Sequence, residues 1–189
     1  MSASAPNSSS VDWTPTLVAR LRGGESDAGK LLTSLYRQPM IRFCWGYLGN
    51  LDDAEDAVQD IFVKVLKTDA FPDRFRAWLC RIARNHCLNL LRSRHRRRDA
   101  GALPSDSHLD AALTGPLSRL VRGEARSRIA HLVAALPPEQ REVLRLRHGD
   151  GLSRAEIAEV LELPESVVKS RLYEGLKKLR EHKSILESR

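Results

Sequence analysis

Residues 99–125, DAGALPSDSHLDAALTGPLSRLVRGEA, divide this sequence more sharply than any other stretch. Gly101, Pro104, Gly115 and Pro116 interrupt it, and its apolar residues show little periodicity, so it reads as a linker. On either side the apolar residues recur at helical spacing, and no run alternates as a half-buried strand does. Upstream, Gly23-Gly24, Pro39, Gly49-Asn50 and the stretch from Asp69 to Asp73 punctuate the chain into roughly four helices. Downstream, Ile129, Leu132, Val133 and Leu136 stand at i, i+3, i+4 and i+7, and Pro137-Pro138 closes that helix and opens another. The expected fold is all-α. Residues 16–98 make a four-helix domain and residues 126–186 a second helical domain; residues 1–15, polar and Ser-rich, are a disordered tail.

Composition narrows the class. With 42% hydrophobic and 29% charged residues, the 189-residue chain can bury a core. Its apolar runs are too short to span a bilayer, and its first residues lack the apolar stretch of a secretory signal. Cys44, Cys80 and Cys87 are few, odd in number and without CxxC spacing. They read as small apolar core residues rather than a disulfide framework or a metal site. No P-loop, dinucleotide loop, HExxH or nucleophile elbow is present, so neither cofactor, metal nor catalytic residue is expected. The expected setting is cytoplasmic.

Of 31 basic residues 24 are Arg, a bias that suits phosphates and base edges but also fits codon usage. The order of the charges says more. From Asn50 to Asp73 there are seven acids and two lysines, a net −5; from Arg74 to Arg98 there are nine arginines and no acid, a net +9. One reading is two surfaces with different partners; the other is two faces that neutralise each other in the fold. Arg92, Arg94, Arg96, Arg97 and Arg98 repel one another unless an anion is near.

The clearest local signal lies near the carboxy terminus. After the turn Gly149-Asp150-Gly151, Ser153 and Glu156 form an S-x-x-E capping box, and Ile157, Ala158, Val160 and Leu161 supply a buried face. Glu162-Leu163-Pro164 makes a three-residue turn before a longer basic helix with Val167, Val168, Leu172, Leu176 and Leu179 inward. A short helix, a tight turn and a basic helix make a helix-turn-helix. Lys169, Ser170, Tyr173 and Lys177 share a face suited to base edges, whereas Arg171, Lys178 and Arg180 suit phosphates.

Three strings in order carry a family resemblance. They are D-A-E-D-x-x-Q-D from Asp53, F-x-A-W-L-x-R-I-A-R-N from Phe75 and L-P-x-x-x-R-x-V from Leu136. The chain resembles bacterial RNA polymerase sigma factors of the extracytoplasmic-function type from about Leu17 to Glu181, apart from the linker. The resemblance implies that Asp53, Asp56, Gln59 and Asp60 dock on the clamp of the largest subunit of core polymerase. Phe62, Val63 and Val65 look like the core side of that helix. Asn85 and Asn89, at i and i+4, would read the single-stranded −10 element, with Arg92, Arg94, Arg96, Arg97 and Arg98 tracking its backbone. Lys169, Ser170, Arg171 and Tyr173 would read the duplex −35 element. An anti-sigma factor is a further implied partner. The 27-residue linker reaches roughly 90 Å. That exceeds the roughly 70 Å of two DNA turns.

Three departures from the family pattern stand out. The loop Asp69 to Arg74 is short; Phe71 in it reads either as a base-stacking ring or as a core residue. Glu174 stands where a basic residue is common, and Ser166-Val167 replaces a frequent Gly-Thr. The alternative function is a helix-turn-helix regulator that never engages polymerase, but such a protein has no use for the acidic helix and the Asn/Arg helix. A metal- or thiol-dependent enzyme is the third class.

Overall fold

Among the described residues, four helices precede the divide, and helical residues 132–134, three further α-helices and a π-helical turn follow it. The structure, a computed structural model, describes residues 14–99 and 132–187; the tail before Thr14 and the linker beyond Asp99 lie outside the described residues. In the first half α1 is Thr14–Arg22, α2 Ala28–Leu48, α3 Leu51–Leu66 and α4 Phe75–Asp99. In the second, α5 is Pro138–Leu144, α6 Arg154–Leu161 and α7 Glu165–Glu187. The described residues contain no strand.

Local chemistry sets most of these boundaries. Gly49 ends α2 in the left-handed region at φ 70°, where its N–H donates to the Trp45 carbonyl at 2.9 Å. Asn50 then caps α3, its side chain accepting from the Asp53 N–H at 3.1 Å, and Asp52 and Asp53 favour that end of the helix dipole. Pro39 does not break the chain as its type suggests. It lies inside α2, where it has no N–H to offer the Leu35 carbonyl. Tyr36, Met40 and Phe43, buried on either side of it, hold the helix continuous.

In the second half, α5 runs directly into a π-helical turn, Arg145–Gly149, which the sequence pattern did not announce. The helix-turn-helix forms as its capping box predicts. The Ser153 hydroxyl accepts from the Glu156 N–H at 3.2 Å, and the Glu156 carboxylate accepts from the Ser153 N–H at 2.8 Å. Glu162 ends α6 at φ 56°, and the Leu163 N–H closes onto the Ala158 carbonyl at 2.9 Å. Gly175 lets α7 lie close to α5, since a Cβ there would stand 2.9 Å from a methyl of Leu144.

The buried residues form one contiguous cluster across both halves, running from Leu32, Ile61, Phe75 and Leu79 to Leu146, Leu152, Ile157 and Val168. Helix α4 is central to it: α2 and α3 pack on one side and α6 on another. The three cysteines are buried thiols within that core. A hydrogen bond with Cys87, followed by burial, pushes Cys44 far up, and burial pushes Cys80 up to about 12. The sulfurs of Cys44 and Cys80 stay protonated, and all three side chains pack as the apolar residues they were read to be.

The two kinds of stabilisation in the helix-turn-helix differ in size. Ser153→Ala is expected to cost about 1 kcal/mol, the loss of one cap. Ile157→Ala, which empties a fully buried site, is expected to cost about 2 to 5 kcal/mol. Urea melts of the two variants and the parent check the ranking.

Candidate nucleic-acid interface

The acidic residues of α3 fall on two sides of the helix. Asp56, Gln59 and Asp60 are exposed. Asp53 instead turns toward α4, where its carboxylate receives both Nη atoms of Arg94, at 2.5 and 2.7 Å. This bidentate pair gives Asp53 and Arg94 a structural role, each neutralising the other across the helix contact. The hydrogen bonds from Arg94 hold the Asp53 carboxyl below the usual carboxylate range, against the opposing effect of burial. Asp60 approaches His86 on α4, with Oδ2 3.5 Å from Nε2, while Lys64 and the His86 Nδ1 are 2.9 Å apart. Burial first, then Lys64, lowers the His86 pKa.

Val63 corrects the core-side reading. It is 51% exposed, whereas Phe62 and Val65 are buried as expected. With Asp56, Gln59 and Asp60 it falls at i, i+3, i+4 and i+7, so one solvent face of α3 joins carboxylates to an apolar side chain. That spacing was available in the sequence and identifies Val63 as part of the outer face.

On α4, Asn85 and Asn89 are both exposed, one turn apart. Arg92, exposed, donates to the Asn89 side-chain oxygen at 3.2 Å, which orients that amide. Arg96 is exposed as well; the side chains of Arg97 and Arg98 lie outside the described residues. Phe71, read either as a base-stacking ring or as a core residue, packs inward. It is buried, with its ring 6.2 Å from Phe75 and edge-on to Trp78 at 5.8 Å. Packing on both rings gives it the core role rather than the stacking role, and the Arg22 guanidinium fixes its carbonyl at 2.6 Å.

On α7, Lys169, Ser170, Tyr173 and Lys177 are exposed on one face, with Tyr173 68% open, while Arg171 and Lys178 are half-buried beside it. Glu174 has a structural partner: its carboxylate accepts from the Gln140 amide of α5 at 3.0 Å. The acid at this position therefore braces α7 against α5. Arg154 and Glu165, 3.5 Å apart, link the starts of α6 and α7.

Two protein-family models match this arrangement: Sigma-70 region 2 over residues 32–97 and Sigma-70, region 4 over residues 126–179. The chain belongs to the sigma-70 family. The ECF RNA polymerase sigma factor SigW of Bacillus subtilis (strain 168) is 28% identical to it, the match covering 86% of this chain and 92% of SigW. The ECF RNA polymerase sigma-E factor of Escherichia coli (strain K12) is 29% identical, over 83% of this chain and 87% of its own. Among solved structures, CnrH in complex with the cytosolic domain of CnrY has 27% identity and a TM-score of 0.62, covering 92% of this chain and 96% of CnrH. The sigma factor RpoE of Bartonella quintana, solved with the anti-sigma factor NepR, shares the fold at 22% identity and a TM-score of 0.60, over 82% and 96%.

The region 2 match takes in α3 and nearly all of α4, with the exposed Asp56, Gln59, Asp60, Asn85 and Asn89, and the region 4 match takes in the exposed Lys169, Ser170, Tyr173 and Lys177 of α7. Among the described residues no group of three or more His, Cys, Asp or Glu is placed to hold a metal ion, and no helix is long and apolar enough to cross a membrane.

The Asp53–Arg94 pair makes a pH-dependent contribution. Its carboxyl titrates lower in the folded chain than in the unfolded one, so the stabilisation is present above the unfolded value and is lost as pH falls through the folded one. Both groups are partly exposed, so Asp53→Asn is expected to cost only about 0.5 to 1 kcal/mol near neutrality. Denaturant melts over a pH series should show variant and parent converging below about pH 4.

Proposed function

We infer that this chain is an alternative sigma factor that binds core RNA polymerase and directs promoter-specific initiation. The observation that carries this reading is the pairing of neighbouring helices. Helix α3 presents Asp56, Gln59, Asp60 and Val63, and α4 presents Asn85 and Asn89, in a chain that also holds a capped helix-turn-helix. A stand-alone duplex-DNA regulator needs only the last of these.

The acidic face of α3 docks on core polymerase, where complementary charge favours encounter and Val63 adds apolar contact. Asn85 and Asn89 read unstacked bases of the −10 element, with Arg92, Arg96, Arg97 and Arg98 following its phosphates. Lys169, Ser170, Tyr173 and Lys177 enter the major groove at the −35 element, while Arg171 and Lys178 position α7 on the backbone. Asp53 and Arg94 hold α3 and α4 in register. The protein works in the cytoplasm beside its polymerase. CnrH and RpoE were each solved with a partner, the cytosolic domain of CnrY and the anti-sigma factor NepR; this supports an anti-sigma partner here.

Run-off transcription from genomic fragments with purified core polymerase tests the function. Promoter-specific transcripts are expected, and their absence with a chain that still binds duplex DNA favours the stand-alone regulator. Asp56→Arg combined with Asp60→Arg should abolish co-purification with core polymerase while leaving the helical circular dichroism unchanged. Unaltered co-purification would remove α3 as the docking surface. Lys169→Ala should lose about 1 to 3 kcal/mol at a single −35 position, whereas a uniform loss on every promoter would make Lys169 a phosphate contact.

A further inference from the structure

Between Ser166 and Arg180 of α7 the chain has three lysines, two arginines and a single acid, Glu174. Its place on the helix makes that exception informative. Val168, Leu172 and Gly175 are buried, so the opposite arc, centred on Ser170 and Lys177, faces outward. At about 100° per residue, Glu174 stands about 40° round from Ser170. It is exposed there, between that pair and the flanking Arg171 and Lys178. The carboxylate thus lies where side chains suited to base edges give way to side chains suited to phosphates.

The carboxylate is also held in place from the protein side. Its Oε2 accepts from Gln140 Nε2 at 3.0 Å. Gln140 is 7% exposed and its amide oxygen finds no partner among the described residues, so the bond to Glu174 is what anchors this buried amide. Next in sequence, Gly175 brings α7 so near α5 that an added Cβ would lie 2.9 Å from Leu144. Close packing and the hydrogen bond together fix where the carboxylate sits. Oε1, which Gln140 does not use, is left to accept from outside the chain.

We propose, on the sigma-factor reading above, that Glu174 reads a cytosine of the −35 element through the N4 amino group of that base, with Gln140 as the positioning residue that holds the carboxylate in register. A carboxylate only accepts hydrogen bonds, so the phosphates, which carry negative charge and no donor, give it no contact. In the major groove guanine offers N7 and O6 and thymine offers O4, all acceptors; adenine sets its N6 donor beside the N7 acceptor. Cytosine offers the N4 donor alone. At any other base the same carboxylate meets an acceptor, so Glu174 rejects as well as selects.

The test assembles the full chain with core polymerase and offers it promoter duplexes, taken from the run-off experiment and randomised across the −35 element; the bound fragments are sequenced. The parent should prefer cytosine on one strand at one position by about fivefold or more. Glu174→Ala should level that position, leave the others unchanged and strengthen binding to sites without the cytosine. Glu174→Lys should replace cytosine with guanine at the same position, because an ammonium donates to O6 and N7. Gln140→Ala should weaken the cytosine preference with Glu174 still present, and should change base preference no further when added to Glu174→Ala. An equal change at every sequence would reduce Glu174 to a repulsive charge, and a Glu174-dependent preference for another base overturns the assignment. A cytosine preference that Gln140→Ala leaves intact removes the positioning role. A parent that forms no complex with core polymerase, or selects no sequence anywhere in the −35 element, overturns the sigma-factor reading instead.

Discussion

Helix α4 carries eight arginines, with Arg74 just before it, and its one acid is the terminal Asp99, so the carboxylates that pair with its arginines come from other elements. Much of the described structure follows from that deficit. Asp53 of α3 meets Arg94, Glu142 of α5 meets Arg84, Glu156 of α6 meets Arg76, and Glu162 at the end of α6 meets Arg81. Helices α3, α5 and α6 thus each bring a counter-charge to α4. The apolar side, with Phe75, Leu79, Ala83 and Cys87 buried, gives the helix its place at the centre of the core.

These pairs are not equivalent. Glu142 and Arg84 are largely shielded from solvent, and the bidentate geometry with a third bond from Tyr47 makes their contact specific. Arg81–Glu162 is long and open to water, where such a pair contributes little. The same helix thus holds strong and weak links to the second half, while Asn85 and Asn89 stay clear of both. The ion pairs that join the two halves lie in the first part of α4, at Arg76, Arg81 and Arg84, and the pair that joins α4 to α3 lies toward its end, at Arg94.

Residue patterns with local causes were legible in the sequence. The capping box at Ser153, the left-handed glycine after α2 and the three-residue turn before α7 all depend on neighbours within a few positions. The acidic outer face of α3 and the asparagine pair on α4 were legible for the same reason, since helical spacing alone places Asp56, Gln59 and Asp60 together, and Asn85 with Asn89. What was not legible is what distant residues decide. Val63 has the composition of a core residue but the register of the outer face. Phe71 is buried because Phe75 and Trp78 come round to meet it, and Asp53 turns inward because Arg94 is 41 positions away yet one helix contact distant.

An all-helical chain in two parts, a helix-turn-helix and a sharp reversal of charge at residue 74 were determined by the sequence itself, because propensity, capping and periodicity act over one or two turns. Which charges face outward and which neutralise one another was decided only by the tertiary structure. So was the docking of the second half on the first, with Arg145 between Phe43 and Tyr47. The reason is physical: an ion pair or a buried guanidinium depends on the distance between side chains more than a hundred positions apart in some cases, and no local pattern encodes that distance.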